Sequence, residues 1–240
     1  MTIFVIVGFS QAVNVLLSIA ILMKYFEYTP SLKIKFAIIR ETFRYGSTMY
    51  AANILNLLPD SMLPLIVINN LGATAAAYFY IAFSIANLLY TIAFSTSQVL
   101  LAEISNDEKH FAEHLRKGLR IISGLMIPAV VLVVVLSPFI LSFFGQNYRE
   151  GAISILRLLS VSGLAVMLYS LLSTVFKQTK NLKAILLMTA TNAFVIIGFS
   201  LVFVKSYGLS GIGWAWLLGT FAAVCTGLIF YTRQTIVSQV

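Results

Sequence analysis

The stretch SMLPLIVINNLGATAAAYFYIAFSIANLLYTIAFSTSQVLLA, residues 61–102, runs for 42 residues without an Asp, Glu, Lys or Arg. A helix needs about 20 apolar residues to cross a hydrocarbon core of about 30 Å, so this run is long enough for two crossings. It is interrupted at Asn69-Asn70-Leu71-Gly72, a turn signal. Two apolar crossings joined by a tight turn define a polytopic membrane protein. Five further charge-free runs agree: Met1–Met23, Ile121–Tyr148, Leu158–Phe176, Ala184–Val204 and Ser206–Thr232.

Composition leads to the same class. Of the 240 residues 60% are hydrophobic and 10% charged, against about 25% charged in an ordinary globular chain. The mean hydropathy is +0.95. The expected fold class is all-α, a membrane helix bundle of seven transmembrane helices at roughly 2–23, 47–69, 74–102, 119–144, 152–176, 183–204 and 209–232. The net charge of +8 does not argue for nucleic acid as a partner, because basic residues of a membrane protein gather on cytoplasmic loops beside anionic lipid. Cys225 stands alone in an apolar run and supports neither a disulfide framework nor a thiol metal site. Met1–Met23 lacks the basic start and small-residue cleavage site of a secretory signal.

Basic residues in the successive connections decide direction. The first connection holds Lys24, Lys33, Lys35, Arg40 and Arg44, and the second none. The third holds Lys109, Arg116, Lys117 and Arg120, and the fourth Arg149. Lys177, Lys180 and Lys183 follow, then Lys205, then Arg233. The positive-inside rule puts the N-terminus outside and the C-terminus in the cytoplasm of a multi-pass protein of the cytoplasmic membrane. Tyr45 and Tyr50 at one level, and Phe143, Tyr148, Trp214 and Trp216 at the other, read as interfacial rings. Within the first connection, Leu32, Phe36, Ile39 and Phe43 recur at helical spacing opposite Lys33, Lys35, Arg40 and Arg44. They mark an amphipathic linker helix on the cytoplasmic surface.

Asp60 is the one acidic residue within a span. It lies thirteen residues past Ser47, about 20 Å along the helix and beyond the midplane. A carboxylate there costs about 2.5–3.5 kcal/mol to insert and faces a cavity or a partner. It binds a proton, a sodium ion or substrate, or it is a neutralised structural pair. Pro59 and Pro64 flank it, each removing a backbone donor. Asn53, Asn56 and Asp60 fall at i, i+3 and i+7, one helical face. Asn87 and Gln98 extend the set of polar candidates in the next span. Asparagines also link helices without any further role. Arg157 offers a guanidinium for phosphate, and the alternatives are snorkelling to the interface or pairing with Asp60. Gly219, Ala223 and Gly227 form a small-residue row for close packing. His110 and His114 are spaced for a metal but lie among Asp107, Glu108, Lys109, Arg116 and Lys117, as on a solvated helix. There is no Walker motif, nucleophile elbow or HExxH, so no catalytic set, metal site or cofactor is implied.

The order of features resembles the polysaccharide flippase branch of the multidrug/oligosaccharidyl-lipid/polysaccharide exporter superfamily. The residues that carry it are Asp60, Leu71-Gly72-Ala73, Ala77–Ala82, Lys177-Gln178-Thr179-Lys180-Asn181 and Tyr207–Ala215. Ala77 stands where the family usually has Gly. The resemblance implies two six-helix lobes around a central cavity. Residues 1–23 then correspond to the last helix of a first lobe, 24–46 to the cytoplasmic linker, 47–233 to a complete six-helix second lobe and 234–240 to a cytoplasmic tail. Five helices of the first lobe are expected elsewhere, on a longer or a separate partner chain.

Three functions follow as expectations. The first is export or flipping of a lipid-linked oligosaccharide, with membrane lipid and the lipid-linked glycan as partners, no cofactor, and an ion gradient, if any, whose ion (proton or sodium) the sequence leaves open. The second is a multidrug cation antiporter of the same superfamily. The third is a non-transporting membrane scaffold. A drug cation calls for buried carboxylates and a diphosphate-linked sugar for cationic walls, so the surroundings of Asp60 and Arg157 bear on the choice.

Overall fold

The computed structural model describes residues 2–25, 36–107 and 110–237. These form five helical elements: α1 Thr2–Tyr25, α2 Phe36–Asn106, α3 Phe111–Ser142, α4 Gln146–Gln178 and α5 Leu182–Val237. The seven separate helices expected from hydropathy are therefore five. The difference lies at two glycines. Gly72 (φ 84°, ψ 177°) and Gly208 (φ 58°, ψ −137°) each leave helical geometry inside an otherwise continuous element. Only glycine adopts such backbone freely, so the chain turns at one residue and no loop separates the arms.

Both breaks fold the chain back on itself. In a straight helix Asn56 and Asn87 would stand about 46 Å apart, yet they line one cavity. A side chain at Gly219 would meet Ile196, and one at Gly227 would meet Met188. These pairings, on either side of Gly208, are those of antiparallel arms. α2, α3, α4 and α5 are each long and apolar enough to cross a membrane, and α2 and α5 as hairpins supply two crossings each.

The chain divides into two compact units, Met1–Phe43 and Arg44–Val240. In the first, α1 carries an apolar stretch at Gly8–Ile21, and the Ser18 hydroxyl bonds back to the Asn14 carbonyl at 2.8 Å. Of the amphipathic linker, Phe36, Ile39, Arg40 and Phe43 are helical and exposed. Leu32, Lys33 and Lys35 lie outside the described residues.

In the second unit α4 is the central element, buried along most of its length. Neighbouring registers show which way each arm runs. Tyr90 with Ser162, Ser97 with Ser170 and Ser105 with Gln178 keep an offset of 72–73 residues, so the second arm of α2 runs parallel to α4. Ser123 meets Met167 and Ser137 meets Arg157, so α3 runs antiparallel to it. Gly213 abuts Leu158 and Gly227 abuts Leu172, so the second arm of α5 is again parallel. The alternation is that of successive membrane crossings. Small hydroxyl residues make the contacts at α4 close: Ser97 donates to Ser170 Oγ at 2.8 Å, and Thr174 to the Ser97 carbonyl at 3.2 Å.

The turn Lys177–Asn181 has its own cause. Lys180 takes φ 51°, closing α4, and Asn181 Oδ1 accepts the Ala184 N–H at 3.2 Å, capping α5. His110 and His114 lie at the α2–α3 connection. His110 Nδ1 stands 2.8 Å from Asp107 Oδ2, and that hydrogen bond raises the imidazole above its usual pKa and lowers the carboxyl. His114 lies 3.7–3.8 Å from Asp107 and Glu103. No metal-binding group of three or more His, Cys, Asp or Glu occurs among the described residues.

Candidate functional site

A cavity of about 210 Å³ opens between α4 and the two hairpins. The first arm of α2 contributes Asn56, Pro59 and Asp60, and the second arm Asn87, Tyr90 and Phe94. Both triplets follow helical spacing, with the polar members on one face. α4 adds Val166 and Tyr169, and α5 adds Asn192 from one arm and Trp216 and Thr220 from the other. The fold-backs at Gly72 and Gly208 are what bring these six positions on α2 and three on α5 to one place.

Of the residues expected at a site, Asp60, Asn56 and Asn87 line this cavity. Asn53 lies one turn before Asn56 on the same exposed face but outside the lining, and Gln98 lies one turn beyond Phe94, also outside. Arg157 is elsewhere: its Nε donates to Ser137 Oγ on α3 at 3.0 Å. Asp60 forms no ion pair with Arg157. The cavity thus has one carboxylate and no lysine or arginine in its wall.

Two tyrosines hold the wall together. The Tyr169 hydroxyl donates to Asn56 Oδ1 at 3.0 Å and stands 3.2 Å from Thr189 Oγ1. It ties the first arm of α2 to α4 and α5, and orients the Asn56 amide. The Tyr90 hydroxyl donates to the Leu159 carbonyl at 2.8 Å and stands 2.8 Å from Ser162 Oγ. Its ring stacks on Trp216 with centroids 5.9 Å apart and planes 5° from parallel, and Phe83 meets the same indole edge-on at 5.1 Å. Beside Asp60, Pro64 has no N–H to give to the Asp60 carbonyl four residues back. The Asp60 carbonyl therefore lacks its usual helical donor.

Trp216 had the look of an interfacial ring; the structure corrects that. It is 7% exposed and packed inside, while Trp214 is 46% exposed. Two residues along a helix are about 200° apart, so only one of the pair can face lipid. Trp216 Nε1 comes near the Tyr90 hydroxyl but has no acceptor in hydrogen-bond geometry, and Asn192 Oδ1 likewise has no donor. An unsatisfied buried polar atom costs about 1–3 kcal/mol. One is a donor and one an acceptor. Tyr90, Tyr169, Trp216 and Thr220 were not among the expected site residues. Their signal was present as i, i+3, i+7 in Asn87-Tyr90-Phe94 and i, i+4 in Trp216-Thr220, but aromatic residues at helical spacing look the same in any core.

A family model described as polysaccharide biosynthesis protein matches residues 4–153. A second, described as exopolysaccharide exporter (EPS-E), matches residues 87–236. No curated protein matches the chain. Among solved structures, the lipid II flippase MurJ in an inward closed conformation is similar with TM-score 0.69 and 22% identity, over 89% of this chain and 47% of that one. An outward-facing multidrug resistance MATE family transporter of the MOP superfamily gives TM-score 0.76 and 19% identity, over 93% and 54%. A MOP superfamily transporter from Pyrococcus furiosus gives 0.71 and 19%, over 88% and 49%. The likeness shows a shared fold, and the chain spans about half the length of the solved structures it matches.

Proposed function

This chain belongs to the polysaccharide biosynthesis protein family, and from that membership we propose that it forms one lobe of a flippase or exporter for a lipid-linked oligosaccharide or polysaccharide unit. The observation that carries the reading is the cavity, walled by asparagine amides, stacked aromatic rings and one carboxylate, with an unmatched donor and acceptor. Amides, carboxylates and indole N–H groups bond sugar hydroxyls, and aromatic faces cover the apolar faces of sugar rings. At about 210 Å³ it is smaller than the about 300–1,000 Å³ of drug-sized sites, which suits a single sugar residue. With no cation in its wall it offers no opposite charge to a diphosphate, which this reading assigns to another part of the transporter.

Asn53, Asn56 and Asp60 lie on the exposed side. Unsatisfied polar groups in hydrocarbon cost several kcal/mol each, so a facing first lobe, in the same or a partner chain, covers them. The N-terminus lies outside and the C-terminus in the cytoplasm, on the charge series of the connections. In a Cys225→Ser background, cysteines placed at Asn70 and Gln146 should react with an impermeant thiol reagent on intact cells, while one at Lys180 should not. Labelling of Lys180→Cys from outside reverses the orientation.

The functional test uses spheroplasts from which the gene has been deleted. Lipid-linked glycan accessible to an impermeant glycosidase at the outer face should fall at least about tenfold and return with a plasmid copy. Trp216→Phe keeps the ring and removes the N–H. It should lower the outer-face signal about five- to tenfold, on the order of the 1–1.5 kcal/mol of one hydrogen bond, without lowering protein accumulation. Unchanged outer-face glycan on deletion refutes the reading. A cation antiporter is the second reading, favoured by Asp60 as the sole charge of the cavity wall. It requires that deletion sensitise cells to cationic drugs while outer-face glycan is unchanged.

A further inference from the structure

A second concavity, about 190 Å³, lies away from the site. Its floor is α4, through Leu168, Leu172 and Val175. One wall is α3, through Leu115 and Leu119; the other is the second arm of α5, through Val224, Leu228 and Tyr231. α3 and α5 each pack on α4, leaving this strip of α4 between them as a groove. It follows the helix axes for about 10 Å, the rise from Leu168 to Val175. Its rims, Leu119, Leu168 and Leu228, are exposed. No carboxylate or amide lines it, so a flexible hydrocarbon chain fits it and a polar ligand does not.

One flank of this groove is charged. Taking Leu115 as origin, a helix places Leu119 about 40° round, Arg116 about 100° and Arg120 about 140°. Both arginines therefore lie on the flank beyond Leu119, Arg116 about 60° and Arg120 about 100° round from that rim residue. Gly118 and Ile122 point the other way and are buried. The antiparallel register of α3 and α4 (Ser123 with Met167, Ser137 with Arg157) puts Arg116 level with the Val175 end of the groove and Arg120 about one turn deeper. Helical side chains lean toward the N-terminus. α3 begins at this end, so Arg120 leans toward the mouth. Both are exposed and neither forms an ion pair with a described residue. Glu113 stands at about 160° on the same flank, one turn before Arg116, and does not line the groove.

We propose that this groove between α3, α4 and α5 is a binding site for an anionic phospholipid, one acyl chain lying on α4 and the headgroup phosphate held by Arg116 and Arg120. Guanidinium groups bind phosphate bidentately, and basic pockets between membrane helices bind anionic headgroups. The site does not depend on what the central cavity transports.

The test is native mass spectrometry of the full chain released from detergent, with phosphatidylglycerol and phosphatidylcholine of identical acyl chains in competition. The parent should retain one phosphatidylglycerol in preference. At about fivefold per basic residue, Arg116→Gln with Arg120→Gln should reduce that preference about 30-fold. Arg149→Gln, at the opposite end, should leave it unchanged. Leu119→Trp, which fills the groove from its rim, should lower retention while leaving the melting temperature within a few degrees. Equal retention of the two lipids by the parent overturns the proposal. So does a preference that survives the double arginine variant, or a retention that survives Leu119→Trp, in protein that melts normally.

Discussion

Asp60→Asn is expected to reduce export of surface glycan about 30-fold or more while the protein still inserts and accumulates. The two effects have opposite signs, which makes the variant informative. An ionised carboxylate within a span costs about 2.5–3.5 kcal/mol on insertion, and Asn keeps the shape while removing that charge. If Asp60 had only a packing role, the substitution would therefore be neutral or stabilising. If the carboxylate holds a proton, a sodium ion or a substrate hydroxyl, its loss removes a charged hydrogen-bonding partner. Such losses are worth about 2 kcal/mol or more, a factor of about 30. The surroundings favour the second case. Asp60 lies in the wall with Asn56, Asn87 and Tyr90 and has no cationic partner there, and Pro64 leaves its own carbonyl without the usual helical donor. Export and membrane accumulation measured on the same cells separate the outcomes. Normal export by Asp60→Asn would leave this residue a structural one.

Gly219→Leu is expected to abolish accumulation, and Gly219→Ala to destabilise the protein by about 1–3 kcal/mol, the cost of overpacking a filled contact. A Cβ at Gly219 would stand 2.9 Å from the Ile196 backbone nitrogen and 3.2 Å from its Cα. Backbone cannot rotate away as a side-chain tip can, so the two arms of α5 would have to separate. That separation would also part Asn192 from Trp216 and Thr220, opening the cavity. Gly198→Ala is the control on the same element, because nothing lies within 4 Å of its Cβ position. It should gain about 0.5–1 kcal/mol from helix propensity alone. Thermal melting in detergent compares the three. A normally stable Gly219→Leu would show that the arms of α5 are not in contact.

The reading of Gly219, Ala223 and Gly227 as a close-packing row rested on residue size at helical spacing, and two of its members meet the facing arm or α4 in the fold. Gly72 was recognisable as a turn because Asn-Asn-Leu-Gly interrupts an apolar run. That it turns the chain in a single residue was not, because hydropathy measures how much apolar length is present and not how abruptly it reverses. Asn56, Asp60 and Asn87 were visible as polar residues where polarity is costly. Asn53 and Gln98 were equally visible and lie outside the cavity, and Arg157 bonds to Ser137 instead of facing it.

What the sequence determined by itself is the class of solvent and the alternation of the chain through it. Each apolar run must satisfy its backbone within a helix, and each charge cluster must end one, and both constraints are local. What only the tertiary structure decided is which faces meet. Trp214 and Trp216 differ by two positions and have similar apolar neighbours, yet one is exposed and the other closes the cavity. That choice depends on the rotation of the second arm of α5 about its axis, set where Gly213 and Gly227 pack on α4 and Gly219 on Ile196. A rotation is a property of contacts between segments far apart in the chain, and no residue encodes it alone.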